Sequence, residues 1–161
     1  MVDSPLVTDN RLDFGDALTE GGALLGLDVG TKTIGVATCD AEWRFATAGK
    51  TLARGKFTQD CGKLRELVTQ RGIRGAVVGL PRNMDGSEGP RAQASRAYAR
   101  NIAAALDLPV LLWDERWSTA SAEAAMIGQD MSRAKRAERI DSHAAAVILQ
   151  GAIDALAGGG F

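Results

Sequence analysis

Leu24-Leu25-Gly26-Leu27-Asp28-Val29-Gly30-Thr31-Lys32-Thr33-Ile34-Gly35-Val36-Ala37 reads as an apolar strand, a short polar turn and a second apolar strand. One carboxylate, Asp28, stands among the hydrophobic residues of the first strand. An isolated buried carboxylate is costly, so Asp28 asks for a metal ion or a cationic partner. The turn after it suits an anion. Gly30 and Gly35 permit positive φ and close approach, Thr31 offers a hydroxyl and Lys32 a charge, and successive backbone N–H groups in such turns cradle phosphates. The plainer alternative is a hairpin whose turn Asp28 caps.

Outward from this hairpin the chain alternates between strand and helix signals. Residues 1–22 are rich in Asp and Glu, lack either periodicity and end in Gly21-Gly22, so they are expected to form a disordered acidic tail. Residues 43–52 read as a third meander strand. Residues 58–71 carry Cys61, Leu64, Leu67 and Val68 at helical spacing, and Gly72 closes that helix. Ala76-Val77-Val78-Gly79-Leu80 is a continuous apolar run, as expected of a buried parallel strand reached by a helical crossover. The turn-rich segment 81–90 is a loop before a helix over 91–106, whose N-terminus should lie at the carboxyl edge of the parallel strands. A strand follows at 109–114. Trp117-Ser118-Thr119 leads into an Ala-rich helix ending near Gly128, residues 130–138 form a locally basic loop, and a last helix runs from about 140 to 156. The sum is an α/β fold with a mixed five-stranded sheet, three antiparallel meander strands plus two parallel ones. It forms one domain over 23–157, with a flexible end at 158–161.

The length of 161 residues suits a single compact domain. With 45% hydrophobic but only 5% aromatic residues, its core must be built mainly from Ala, Leu, Val and Ile. A net charge of −1 excludes a protein that coats polyanions with its whole surface, so any nucleic-acid contact has to come from local basic patches. Cys39 and Cys61 show no metal-ligand spacing and fit a reducing cytoplasm. Neither a signal peptide nor an apolar run of membrane-spanning length is visible, which points to a soluble cytoplasmic protein without a membrane partner.

Further carboxylates can join Asp28. Asp114 and Glu115 end a strand, where successive side chains point to opposite faces, so only one of them can share its site. Alternation by itself leaves both open. Asp141, at the start of the last helix, has Ala144, Ala145 and Ile148 at i+3, i+4 and i+7 and so projects on or beside the apolar face. Its other reading is a contact with the helix dipole, worth about 0.3–1 kcal/mol. Three converging carboxylates repel one another unless hard divalent cations, Mg²⁺ or Mn²⁺, lie between them. Two such ions about 3.5–4 Å apart support phosphodiester hydrolysis by activating a water and stabilising the leaving oxygen.

Four stretches carry a resemblance: Asp28-Val29-Gly30-Thr31-Lys32-Thr33-Ile34-Gly35, Gly79-Leu80-Pro81-Arg82-Asn83-Met84-Asp85-Gly86-Ser87, Asp114-Glu115-Arg116-Trp117-Ser118-Thr119 and Asp141-Ser142-His143-Ala144-Ala145-Ala146. In this order they resemble the YqgF/RuvX family. That resemblance implies a ribonuclease H-like fold related to RuvC-type Holliday-junction resolvases, and a nuclease that processes the 5′ end of pre-16S rRNA. It implies Asp28, Glu115 and Asp141 as the catalytic, metal-holding acids, selecting Glu115 over Asp114, with two Mg²⁺ or Mn²⁺ ions as cofactors. The partner is structured RNA, a pre-rRNA, with branched DNA as the alternative, and the protein is expected as a monomer or weak homodimer. His143 departs from the small or apolar residues usual there and reads as packed or solvent-bonded. The Asp28 turn also resembles the phosphate-binding turn of actin-like ATPases and sugar kinases, which need two such domains to enclose a nucleotide.

Lys32, Arg82 and Arg116 flank the acids and are candidates for holding backbone phosphates. Arg133, Lys135 and Arg136 could clamp a strand across the site. Trp113, Trp117 and Tyr98 have the spacing of core residues rather than of a base-stacking platform. Asp85 and Glu88 are expected to shape their loop. The alternatives to an rRNA nuclease are a junction resolvase acting on DNA and a non-catalytic nucleic-acid or ribosome-binding module. Three converging carboxylates argue against the latter, because binding a polyanion gains nothing from them.

Overall fold

The computed structural model describes residues 5–115 and 133–158, with side chains at 5–115 and 143–157. The elements in chain order are β1 (Val7–Thr8), α1 (Arg11–Ala17), β2 (Ala23–Val29), β3 (Thr33–Cys39), β4 (Ala46–Ala48), β5 (Leu52–Ala53), α2 (Phe57–Arg71), β6 (Ile73–Leu80), α3 (Pro90–Leu106), β7 (Val110–Asp114) and α4 (Arg133–Gly158). The strands form one mixed sheet in the order β1-β7-β6-β2-β3-β4, with β5 also paired to β3. β1, β7, β6 and β2 run parallel, whereas β3 is antiparallel to β2, β4 and β5.

Alternation along the strands divides the core into two layers. Leu25, Leu27, Val29, Ala76, Val78 and Leu80 meet α2 and α3 through Leu64, Tyr98 and Ile102. Leu24, Ala37, Val77 and Leu111 meet α1 and α4 through Phe14, Ala145, Ile148 and Leu149. Both faces of β2 and β6 are therefore covered, which explains why their sequences are continuous apolar runs rather than alternating ones. Gly72 ends α2 in the left-handed conformation at φ 62°, and Pro90 opens α3 at a position where its missing N–H costs nothing.

The α/β architecture is the expected one, but among the described residues seven strands form the sheet rather than five. The expected strand over 43–52 is two short ones: β4 pairs with Ala37–Cys39 of β3, its ladder running on to Gly49 N–H on Val36 O (2.7 Å), and β5 pairs with β3 again only at Thr33 and Ile34. The larger correction lies before Ala23, in the segment expected to be a disordered tail. β1 extends the sheet through Val7↔Val110, and Asn10 Oδ1 caps α1 by accepting from the N–H groups of Leu12 (2.8 Å) and Asp13 (3.2 Å). Phe14 and Leu18 are buried in the notch left by Gly75, where an added Cβ would lie 3.0 Å from Phe14 Cζ and 2.8 Å from Leu18 Cδ1. Their apolar burial holds the segment down in spite of its acidic composition.

α4 begins at Arg133, so residues 133–139 have helical backbone instead of the expected loop. Asp141 consequently lies more than two turns inside α4, at about 3.6 residues per turn, and is not placed to interact with the helix N-terminus. The Ala-rich helix expected after Thr119 lies outside the described residues. No helix among the described residues is long and apolar enough to cross a membrane.

Candidate active site

The carboxyl end of β2 carries Asp28 on its α4 side. Asp28 follows Leu24 and Gly26 on that face, and its cross-strand partner on β3 is Gly35, which contributes no side chain. Continuing the β2/β6 register beyond Leu27↔Val78 brings Asp28 alongside Gly79. The space over Gly79 is filled by Glu115. Its carboxylate occupies the position an alanine Cβ would need, and Ile148 Cδ1 of α4 lies 2.7 Å from that position. Two residues down β2, a Cβ at Gly26 would come 2.8 Å from Leu149 Cβ and 3.2 Å from Ala145 O. Gly26 thus seats α4 on the sheet, while Gly79 leaves room for the Glu115 carboxylate beside Asp28.

Register also separates the two acids at the end of β7. Gly79 pairs with Trp113 and Leu80 with Asp114, and Glu115 N–H still reaches Leu80 O at 3.3 Å. Asp114 falls on the α2/α3 side, with Arg82 Nη1 3.7 Å from its carboxylate. Glu115 falls on the α4 side with Asp28. Burial pushes the Glu115 carboxyl up from 4.5 to about 7; the Asp28 charge adds to the rise, Arg91 opposes it and Asp114 adds a smaller contribution. Among the described residues, no hydrogen-bond partner reaches Glu115 Oε2, which is buried. A desolvated oxygen of this kind, beside a second carboxylate, suits a hard divalent cation with oxygen ligands.

Asp141 belongs to the same stripe of α4 as Ala144, Ala145 and Ile148, which are buried towards the sheet, but its side chain lies outside the described residues. No group of three or more potential metal ligands occurs among the described residues. The β2–β3 turn is closed by Gly30 N–H to Thr33 O at 2.9 Å, with Lys32 exposed at its tip. Gly30 does not take a positive φ there; a side chain at this position would come 3.0 Å from Thr33 O, so close approach is what requires glycine.

A family model described as RuvX, Holliday junction resolvase, matches residues 22–155. The chain belongs to the RuvX family. Among relatives of this RuvX protein, one from Novosphingobium aromaticivorans is 66% identical over 156 residues, covering 97% of this chain and all (100%) of that protein. A second, from Sphingopyxis alaskensis, is 63% identical over 151 residues, covering 94% and 99%. Both are provisionally named pre-16S rRNA nucleases. T. thermophilus RuvC, solved in complex with a Holliday junction substrate, superposes with a TM-score of 0.55 at 13% identity over 86% of this chain and 97% of its own. That likeness establishes the RuvC-type fold.

The basic residues expected to hold nucleic acid behave differently from one another in this RuvX protein. Arg82 is engaged internally: it reaches Asp9 (3.2 Å), Glu88 (3.4 Å) and Asp114 (3.7 Å), tying the N-terminal segment to the 81–90 loop and the end of β7. Glu88 is the loop's anchor. Arg96 donates to both of its oxygens at 2.6 and 2.7 Å, and these bonds hold the Glu88 carboxyl below its usual range. Asp85 accepts from the Ser87 N–H (2.9 Å) and hydroxyl, so both acids shape their loop as expected. Arg133, Lys135 and Arg136 lie on the first turns of α4, and Arg116 is outside the described residues. Tyr98 is a core residue, edge-on to Phe57 at 5.5 Å, and Trp113 packs on Gly151. Trp117 lies outside the described residues.

Two cations at this edge escaped the sequence reading. Arg91, exposed in the first turn of α3, is close enough to lower the Glu115 pKa. Arg54 donates from Nη1 to Gly30 O at 2.7 Å while its guanidinium lies 5.2 Å from the Tyr98 ring centroid, pinning the Asp28 turn to α3. The available signal for Arg91 was its place directly after Pro90 at a helix start already expected at this edge. Arg54 had none, since only folding brings it to Gly30.

Proposed function

We propose that this RuvX protein is a divalent-metal-dependent nuclease that hydrolyses phosphodiester bonds during maturation of the 5′ end of pre-16S rRNA in the cytoplasm. The observation that carries this reading is the Glu115 carboxylate lodged over Gly79 within the electrostatic reach of Asp28. Two carboxylates so close repel one another, and a divalent cation between them relieves the repulsion. The names of the relatives from Novosphingobium aromaticivorans and Sphingopyxis alaskensis supply the substrate.

Asp28 and Glu115, joined by Asp141 from the stripe of α4 that meets the sheet, would hold two Mg²⁺ or Mn²⁺ ions. When bound, the ions supply Lewis-acid stabilisation of the scissile phosphate and of its leaving oxygen. Arg91 draws the phosphodiester towards the carboxylates, which would otherwise repel it, and Lys32 offers a second charge from the turn. Arg54 acts at one remove, keeping the Gly30 carbonyl and hence the Asp28 turn in place. Among the described residues no side chain is set up as a covalent nucleophile.

The test is cleavage of a precursor-rRNA 5′-leader and of a four-way DNA junction, side by side, with Mg²⁺ or Mn²⁺ and with the wild type and Asp28→Asn. Leader cleavage that is lost in Asp28→Asn supports the proposal. Paired nicks in the junction with an intact leader would favour a DNA resolvase, the activity by which the family model is described. Binding of either substrate without cleavage under every metal condition would overturn the catalytic reading.

A further inference from the structure

The opposite end of the sheet carries a trough that the catalytic site does not use. Two depressions of about 410 and 710 Å³ adjoin one another between α2 and the β3–β4 edge, sharing Thr38, Thr47 and Arg71. Lys50 and Lys63 line the first; Arg74 and Phe45 line the second. Phe45 is 75% exposed, the most exposed large hydrophobic side chain among the described residues. Lys50, Lys63, Arg71 and Arg74 are all exposed, and no ion pair among the described residues engages them. Of the two acids on the walls, Asp40 is held by Arg44 at 3.2 Å, which leaves Glu66 against four cations. On a chain whose net charge is −1, this is a concentrated positive surface.

We propose that this trough is a second nucleic-acid site, binding a single-stranded segment of the substrate by stacking a base on Phe45 and holding its phosphates with Lys50, Lys63, Arg71 and Arg74. An exposed aromatic ring in a cationic groove is the combination that single strands use, since every base has a face to stack and every linkage a charge to neutralise. The charge alone would also attract an acidic protein segment, but a polyanionic peptide has no planar group to match Phe45. The ligand class rests on the nucleic-acid reading of the catalytic edge. Ala23 lines the trough and Asp28 lies five residues further along β2, roughly 17 Å at strand rise, with the two sites on opposite faces of the sheet. The trough therefore grips the substrate away from the bond that is cut, and it favours substrates with a single-stranded extension.

Binding of a fluorescent oligouridine of about 12 nucleotides, followed by anisotropy in EDTA over a range of salt, tests this directly. Phe45→Ala is expected to weaken binding by about tenfold, the loss of one stacked base. The double variant Lys63→Gln/Arg71→Gln is expected to lower the slope of log K against log salt by about 1.4, two single-strand phosphate contacts. All three positions are exposed, so melting temperatures should match the wild type. Affinities and salt slopes equal to the wild type in both variants would overturn the proposal. So would equally tight binding of a fluorescent polyglutamate peptide that displaces the RNA, which would make the trough an acidic-protein site. The two readings are separable, because oligouridine binding is read in EDTA, where metal-dependent cleavage does not run. Trough variants that lose binding while the wild type cleaves nothing would defeat the nuclease reading alone, and cleavage with unaffected trough variants would defeat the trough alone.

Discussion

Replacing Gly79 by alanine puts a methyl group where Glu115 holds its carboxylate and 2.7 Å from Ile148 Cδ1. Both neighbours are the far ends of flexible side chains, so the fold can yield. The stability cost should be about 1 kcal/mol, the low end of overpacking penalties. The carboxylate, however, has to retreat by about 1 Å to regain ordinary contact distances. A misplacement of that size at a reacting centre costs about 10²-fold in rate. Gly26→Ala is the matched control, because its Cβ would meet Leu149 Cβ at 2.8 Å and the Ala145 carbonyl at 3.2 Å, atoms that cannot swing aside. It should cost more stability, about 2–3 kcal/mol, by lifting α4 off the sheet. Urea unfolding and leader cleavage measured on both variants therefore give opposite rankings, Gly26→Ala the less stable and Gly79→Ala the more selectively inactive. Gly79→Ala with a rate within about threefold of the wild type would refute the idea that Glu115 must sit over Gly79.

Glu115→Gln should stabilise the metal-free protein. The folded-state pKa is raised from 4.5 to about 7, so the wild type loses stability as pH rises through that interval. At about 1.4 kcal/mol per unit, the glutamine variant gains about 3–4 kcal/mol at pH 8 and almost nothing near pH 4.5; parallel urea-stability curves in EDTA over that range would contradict it. Cys39, buried and pushed up to about 11, should resist alkylation at pH 8 in the native protein and react once urea unfolds it. Rapid native modification would place its thiol elsewhere. Phe14→Ala should cost about 3–5 kcal/mol, or roughly 10 °C in melting temperature, since the ring is fully buried beside Gly75. A loss below about 1 kcal/mol would mean that the N-terminal segment is dispensable after all.

Local chemistry made much of this molecule legible. The hairpin around Asp28, the apolar run of β6, the Gly72 stop and the Pro90 start are each written in a few adjacent residues, because turn geometry, burial on both faces and helix caps act over short distances. The same locality explains the misreadings. β1 is two residues long, and Phe14 and Leu18 in and just after α1 are too few to make a pattern; what orders them is Gly75, far along the chain. The start of α4 is not legible in the sequence, because Arg133, Lys135, Arg136 and Glu138 give its first turns no apolar stripe for periodicity to detect.

At the candidate site the division is sharper. The presence of acids at Asp28, Glu115 and Asp141 was determined by sequence, and so was the helix start that carries Arg91. Which of Asp114 and Glu115 faces Asp28 was left open by alternation and resolved at first only by resemblance. The register of β7 on β6 decides it physically, turning Asp114 towards Arg82 and Glu115 onto Gly79. The perturbed acidity of Glu115, the grip of Arg54 on Gly30 and the meeting of Phe45 with Arg71 and Arg74 likewise required the tertiary structure. Charge and periodicity are properties of neighbours in the chain, whereas burial and electrostatic coupling depend on residues that only folding makes neighbours.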